Sequence, residues 1–283
     1  MRVSDTIITY EPDNSLKKGY LSIFREIFNE LKENRWLTYQ LFKRDFFAVY
    51  KQSFIGVFWA FIIPLVSVGT FIILNRSGIF SIGDINVPYP IYAILGMAFW
   101  QLFSTGLITG SNSLVKAGSM IAKINFSKKT LVVASTGQSM VAFLIQFILV
   151  GILFACYRIA PTIAILLIPV AIVPIMLLTL GFAFILSLLN GVVRDIGNAL
   201  SILVTFLMFL TPVLYAKPAT GMLASITKYN PLYYLVSTPR DLILMGTIPE
   251  WKGFLVASII SIIIFVVCLI IFHLTETRVA ERI

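Results

Sequence analysis

The sequence predicts an all-α integral membrane protein with six transmembrane helices, an N-terminal amphipathic interfacial helix and short re-entrant helices before the last span. Of its 283 residues, 58% are hydrophobic and 12% are charged. Soluble domains contain about 45–50% apolar and about 25% charged residues. One ordinary core would not bury this much apolar surface, so lipid must be part of the solvent.

Six long runs without Asp, Glu, Lys or Arg predict the six spans, because a helix needs about 20 residues to cross the hydrocarbon layer. These runs cover residues 54–75, 91–110, 131–157, 162–190, 197–216 and 253–273. In the fourth run, Pro169 and Pro174 predict a kink or a broken start. The runs divide the chain into a segment before the membrane (1–53), a membrane domain (54–273) and a tail (274–283).

The distribution of basic residues predicts the orientation. If the N-terminus lies inside, the cytoplasmic segments hold 16 Lys and Arg residues and the outer segments hold 6. This bias places both termini in the cytoplasm. Nine of the 22 basic residues precede residue 54, so the net charge of +9 indicates contact with anionic lipid rather than with nucleic acid.

Two segments outside the spans have a recognisable pattern. Before the first span, Leu21, Phe24, Ile27, Phe28 and Leu31 follow helical spacing with charged residues opposite, which predicts a helix lying flat on the inner membrane surface. The same pattern fits a docking surface for a cytoplasmic partner or a simple anchor. The region 217–252 is too apolar for a water-exposed loop and too often interrupted for a span, so we expect two short helices dipping into the outer leaflet.

The chain lacks the residues that catalysis or nucleotide binding needs. It contains no GxxxxGK[ST] loop, no HExxH and no GxSxG, and Asp84, Asp195, Asp241 and Glu250 are isolated rather than paired, so we expect no catalytic residue. Cys156 and Cys268 lack metal-ligand spacing, so we expect no metal site. Because the predicted spans contain no Asp, Glu, Lys or Arg, ion-coupled transport is also disfavoured. Active transport would therefore take its energy from another chain.

The first inner loop, residues 111–130, is the best candidate for such coupling, because a short amphipathic helix there would fit a groove on a partner ATPase. A basic loop obeying the positive-inside rule explains it equally well. The predicted coupling residues are Lys116, Lys123, Phe126, Lys128 and Lys129, together with Arg194 and Asp195 in the next inner turn.

Aromatic residues near the predicted membrane boundaries suit an interfacial belt. Alternatively, some of them line a path for sugar, since flat rings stack on pyranose faces and glutamine bonds hydroxyl groups. The candidates for this path are Trp59, Trp100, Gln101, Tyr233 and Tyr234. Separately, Gly106 and Gly110 form a GxxxG motif that predicts close helix packing.

One run of residues resembles a known family. Between residues 43 and 64 the chain carries Arg44, Asp45, Tyr50, Lys51, Ser53, Gly56, Trp59 and Pro64. This order resembles the opening of type-2 ABC exporter permeases that move bacterial polysaccharides. The loop 111–130, the Arg194–Asp195 pair and the run from Asn230 to Leu232 resemble later parts of that family. The chain departs from the family pattern at Ser127, where a proline is frequent.

The resemblance implies a homodimer in the bacterial inner membrane that exports a lipid-linked O-antigen, capsule or teichoic-acid glycan. Each subunit would bind a separate ATPase that holds ATP and Mg²⁺, so this chain would bind no cofactor. The flat N-terminal helix would act as a gate. Basic residues there are candidates to meet the lipid pyrophosphate or, equally, lipid headgroups. They are Arg25, Lys32, Arg35, Lys43, Arg44 and Lys51.

Two other functions fit the same layout. A type-2 permease for drugs or lipids would share the six spans. A non-transporting membrane scaffold would use the spans without any substrate path.

Overall fold

The computed structural model describes residues 20–50, 56–78, 82–83, 85, 87–121, 123–124 and 126–280, and the described part contains helices and no strand. The helices are α1 (Tyr20–Glu33), α2 (Arg35–Tyr50), α3 (Trp59–Arg76), α4 (Tyr89–Ser111), α5 (Ser113–Lys116), α6 (Gly118–Ile121), α7 (Lys129–Thr136), α8 (Gln138–Tyr157), α9 (Ile168–Ala171), α10 (Val173–Val192), α11 (Asp195–Leu210), α12 (Met222–Tyr229), α13 (Pro231–Met245) and α14 (Trp251–Ala280). Short 3₁₀ helices cover Gly56–Phe58 and Ile163–Leu167.

Four helical segments are long and apolar enough to cross a membrane. They are Tyr89–Ser111, Lys129–Tyr157, Ile163–Val192 and Trp251–Glu276. Two shorter apolar helices, Phe61–Arg76 and Asp195–Leu210, fall where the first and fifth spans were predicted. The structure thus confirms an all-helical protein with several candidate spans, whereas the count of six stays a prediction.

Helix α4 is the centre of the packing and contacts α8 and α10 along its length. The GxxxG motif makes this approach possible. A Cβ atom on Gly106 would lie 2.7 Å from Cγ2 of Thr179 on α10, and one on Gly110 would overlap Thr136 on α7. Glycine at both positions lets the helices meet at a distance that any side chain would increase. The packing predicted for this motif is therefore confirmed.

The buried residues form two clusters at opposite ends of the bundle. One cluster joins the first half of α4 to α8, α13 and the start of α10. The other joins α1 and α2 to the end of α10, the start of α7 and the last turns of α14. We call the end with the second cluster the basal end, and the end with α12 and α13 the distal end.

Local sequence explains several helix boundaries. The broken start predicted from Pro169 and Pro174 is confirmed, because a 3₁₀ helix and the four-residue α9 precede α10. Before Pro231, the side chain of Asn230 accepts a hydrogen bond from the backbone N–H of Leu232 at 3.0 Å and so caps α13. Helix α14 does not end at His273, where the last span was predicted to end, but runs on to Ala280.

The amphipathic helix before the first span is also present. Helix α1 buries Ile27 and partly buries Leu31 against the basal cluster, while Phe24 and Phe28 are exposed. Its apolar stripe is therefore shared between the protein and the surroundings. Contact of the exposed part with a membrane surface remains a prediction.

Candidate functional site at the basal end

The candidate functional site is built around the connection between α4 and α7, residues 112–128. Two side chains of this connection, Leu114 and Ala117, are buried against the basal cluster and fix its inner face. On its outer face Lys116, Lys123 and Ile124 are exposed. The described part of the connection thus presents two cations and one apolar side chain to the surroundings, a combination suited to docking a partner protein.

Lys129 differs from the other basic residues here, because its side chain is 0% exposed. Its ammonium group lies 2.8 Å from Oε2 of Glu30 on α1 and also bonds Oε1 of Glu276 on α14. A buried cation is tolerated when it is paired and hydrogen-bonded. Residues 99 and 147 positions away in sequence supply that pairing.

The two carboxylates receive further hydrogen bonds from the same short segment. Oε2 of Glu30 accepts from the hydroxyl of Ser127 at 3.2 Å. Oε2 of Glu276 accepts from the backbone N–H of Lys128 at 3.1 Å, and Nδ1 of His273 lies 3.6 Å from Oε1. Residues 127–129 therefore hold both α1 and α14.

Glu30, His273 and Glu276 come close enough to ligate a metal ion, since their ligand atoms lie within 4.8 Å of one another. However, the ammonium of Lys129 already lies between the two carboxylates. Because it supplies positive charge where a metal would, the donor set does not favour a metal ion.

A second polar network connects three helix ends beside this site. The amide nitrogen of Asn190 donates to the backbone oxygen of Ser111 at 3.1 Å and to Oδ1 of Asn112 at 3.0 Å. Its amide oxygen accepts from the backbone N–H of Gly197 at 3.0 Å. The ends of α4 and α10 and the start of α11 are fixed together, and Arg194 and Asp195 are exposed on the turn between them.

A buried arginine organises the distal end. The guanidinium of Arg240 on α13 lies 3.9 Å from the centre of the Tyr92 ring on α4. One of its amino groups donates to the backbone oxygens of Pro212 and Val213 at 3.4 and 3.3 Å. These contacts hold the turn after α11 against α4, so Arg240 has a structural role.

The residues predicted to line a sugar path do not share one open surface in this structure. Trp100 is buried among apolar neighbours. Tyr233 is also buried, with the ammonium of Lys217 at 5.1 Å from the centre of its ring. Gln101 and Tyr234 are half-buried, and the hydroxyl of Tyr234 donates to the backbone oxygen of Lys228 at 2.8 Å. Trp59 is exposed on α3.

The basic residues predicted to meet pyrophosphate are better placed for contact. Arg25 and Lys32 on α1 and Arg35 and Lys43 on α2 are exposed, as is Arg44, which pairs with Asp45 at 2.8 Å. Lys51 lies outside the described residues. The predicted coupling residues divide into exposed Lys116, Lys123, Arg194 and Asp195, half-buried Phe126 and Lys128, and buried Lys129.

Four residues of these networks were not predicted as site residues from the sequence: Glu30, Asn190, Arg240 and Glu276. Two of them stand out in the sequence as polar residues among apolar ones, which is a sign of a structural or functional role in a membrane protein. Asn190 is the last residue of the apolar fourth run, and Arg240 is a single cation in an apolar segment. Glu30 and Glu276 carry no comparable signal, because each is one acidic residue among several charged neighbours.

Several apolar helices long enough to span a bilayer, packed around a central helix, define a multi-pass membrane protein. The sequence profile of the ABC-2 type transporter family matches residues 37–244, and the chain belongs to this family. It is a transport subunit rather than an enzyme.

Two relatives show how far the likeness extends. The chain is 25% identical over 265 residues to the O-antigen export system permease protein RfbA of Myxococcus xanthus, covering 90% of this chain and 98% of the relative. It is 25% identical over 241 residues to a protein of the same name from Klebsiella pneumoniae, covering 84% and 91%.

Proposed function

We propose that this chain is the membrane-spanning permease subunit of an ATP-driven ABC transporter that exports lipid-linked polysaccharide across the bacterial inner membrane. The substrate class is O-antigen, capsule or teichoic acid. The observation that carries the proposal is the match to O-antigen export permeases over nearly the whole chain. The exposed cations of α1 and α2 agree with an anionic, lipid-linked substrate.

The proposed topology has six spans and both termini in the cytoplasm. The four long helices would be joined by Phe61–Arg76 and Asp195–Leu210 as shorter spans, and α12 and α13 would dip into the outer leaflet. The excess of Lys and Arg in the segments predicted to be cytoplasmic supports this orientation. The domain limits would then be 1–53, 54–273 and 274–283.

The proposed assembly is a homodimer with two copies of a separate ATPase. Helix α11 supports the dimer, because Gly197, Leu200 and Val204 are its only buried positions and its exposed surface carries Ser201, Ile202, Thr205, Phe206 and Phe209. Hydroxyl groups and rings on one face suit contact with a second copy or with sugar better than contact with lipid alone. ATP and Mg²⁺ would bind to the ATPase, and this chain would hold no cofactor.

The basal surface is the proposed ATPase contact. Lys116, Lys123 and the Arg194–Asp195 turn are exposed on neighbouring segments that the Asn190 network joins. A force applied there would reach α4, α10 and α11 together. Phe126, Lys128 and Lys129 would support this surface from behind.

The test is to delete the gene and to follow lipid-linked glycan on both sides of the inner membrane. Loss of surface polysaccharide with internal accumulation of the lipid-linked polymer is the expected result. Normal surface glycan without accumulation, in a strain that encodes no second exporter, would contradict the proposal and favour drug or lipid efflux. Retention of export by a variant that no longer binds an ATPase would favour a scaffold.

A further inference from the structure

The three residues 127–129 make a symmetrical set of contacts with two helices that are far apart in sequence. Glu30 on α1 receives one bond from the Lys129 ammonium and one from the Ser127 hydroxyl. Glu276 on α14 receives one bond from the same ammonium and one from the Lys128 backbone N–H. Each carboxylate is thus held by two donors from a single short segment.

The helices that carry the two carboxylates are held unequally by the rest of the protein. Helix α14 has 30 residues, and close to Glu276 it buries Phe272 and Leu269 in the basal cluster. Helix α1 has 14 residues, and it is attached to that cluster through Ile27 and Leu31. The Glu30 side chain is 18% exposed and the Glu276 side chain 8%. The Glu30 side is therefore the weaker of the two connections.

Separation of Glu30 from Lys129 would not leave an unpaired buried cation. Lys129 would keep its bond to Glu276, and the carboxylate of Glu30 would gain water. Removing the sole partner of a buried charge is strongly destabilising. With a second partner in place, that penalty is avoided. The Glu30 contact can thus open and close while the Glu276 contact persists.

Stability alone does not account for such a cluster, because an apolar group of similar volume often stabilises a buried site as well as an ion pair does. An ion pair, unlike apolar packing, fixes one relative position of the segments that it joins. Both carboxylates also lie outside residues 37–244, the part that matches the family profile, whereas Lys129 lies inside it. The cluster ties the flanking helices to the family domain.

We propose that Lys129 is a positioning residue for energy coupling, which anchors the connection 112–128 to α14 through Glu276 and latches α1 to it through Glu30. While the Glu30–Lys129 contact (the latch) is formed, α1 moves together with the connection. When this contact is broken, the connection moves without α1. The coupling role rests on the proposed function, whereas the latch itself is a property of the chain alone.

The first experiment measures hydrogen exchange in the purified full-length chain in lipid nanodiscs. Glu30→Gln is expected to raise the exchange rate of residues 20–33 by about tenfold, which corresponds to the loss of one charge-assisted hydrogen bond. Exchange of residues 269–280 is expected to stay unchanged. Ser127→Ala should produce a smaller increase in residues 20–33, because the ammonium contact remains.

The matched control is Lys128→Met, which removes a neighbouring lysine side chain and keeps the backbone N–H that Glu276 accepts. It should leave both segments as in the wild type, whereas Lys129→Met should raise exchange in both. Unchanged exchange of residues 20–33 in Glu30→Gln would overturn the latch. Because this assay needs neither ATPase nor glycan, its outcome does not depend on the proposed function.

The second experiment measures surface glycan in a deletion strain complemented with each variant. Glu30→Gln is expected to reduce export several-fold at a normal level of protein in the membrane, while Lys228→Met, at an exposed position on α12, exports normally. A role limited to stability would instead lower the protein level. Normal export by a Glu30→Gln variant with raised exchange would overturn the positioning role. Absence of export even with the wild-type gene would contradict the proposed function and leave the exchange result to decide the latch.

Discussion

The amide oxygen of Asn190 accepts a hydrogen bond from the backbone N–H of Gly197 across 3.0 Å, and this bond joins the end of α10 to the first turn of α11. A Cβ atom on Gly197 would lie 2.9 Å from Oδ1 of Asn112. The turn that carries Arg194 and Asp195 is therefore fixed in two ways. The side-chain amide of Asn190 bonds the backbone of Gly197, and the lack of a side chain on Gly197 leaves room for Asn112.

Substitution Asn190→Leu is expected to destabilise the protein by about 2–4 kcal/mol, because it leaves the N–H of Gly197 and the carbonyl of Ser111 buried without their partner. Thermal unfolding in detergent measures this loss. Asn198→Leu, at an exposed position on α11, is the matched control and should have little effect. Equal unfolding temperatures for the two variants would contradict the network.

The GxxxG contact predicts that Gly110→Leu prevents normal packing of α4 on α7 and α10, since the new side chain would overlap Thr136 and Ala183. Overpacking of this kind costs at least about 1–3 kcal/mol. Gly69→Leu on α3 is the control, because nothing lies within 4 Å of a Cβ atom there. Fluorescence-detected size exclusion should show loss of the folded peak only for the variant at Gly110.

Replacement of Arg240 by leucine is expected to loosen the distal turn. It removes the cation–π contact with Tyr92, worth about 2 kcal/mol at a desolvated site, and it leaves the carbonyls of Pro212 and Val213 without this donor. Arg240→Lys should recover only part of the stability, because an ammonium lacks the planar fork. Full recovery in a thermal unfolding assay would show that charge alone matters there.

Charge reversal on the basal surface tests the ATPase contact. Lys116→Glu combined with Lys123→Glu is expected to weaken co-purification of the ATPase by about tenfold, since both cations are exposed and reversal creates like-charge repulsion with an acidic partner. Lys228→Glu, exposed on α12 at the distal end, serves as the control. Undiminished co-purification would move the contact elsewhere.

The exposed cations of α2 test contact with the substrate. Arg35→Glu with Lys43→Glu should reduce surface glycan several-fold at a normal protein level, because phosphate oxygens would lose their donors. Arg76→Glu, exposed at the end of α3, is the comparison variant. Unchanged export would remove both residues from the site.

The sequence was sufficient to predict most of the helical architecture. Long uncharged runs, the amphipathic spacing before residue 33 and the two prolines of the fourth run each predicted an element that the structure contains. Helix-forming patterns are local, so one sequence displays them directly. The extension of α14 beyond His273 was missed, because the change from apolar to charged residues marks a change of surroundings rather than the end of a helix.

The sequence does not separate the exposed residues of the candidate site from the buried ones. Lys116 and Lys123, two of the predicted coupling residues, are exposed. Lys129 belongs to the same basic loop, and yet its side chain is buried. Its partners, Glu30 and Glu276, lie 99 and 147 positions away in sequence, so no local pattern reveals the pairing. In the same way, no local pattern shows that the side chains of Trp100 and Tyr233 are buried. Their place in an aromatic belt or a sugar path stays a prediction.

The central position of α4 determines which parts of the sequence tolerate substitution. In its apolar window 83% of the residues are buried, against 17% in the window of α14. Side chains of α14 that meet lipid need only remain apolar, so many replacements there are interchangeable. Those of α4 must match the volume left by their neighbours. In a saturation mutagenesis library, we expect tolerated substitutions to accumulate along the exposed face of α14 and to be nearly absent from α4.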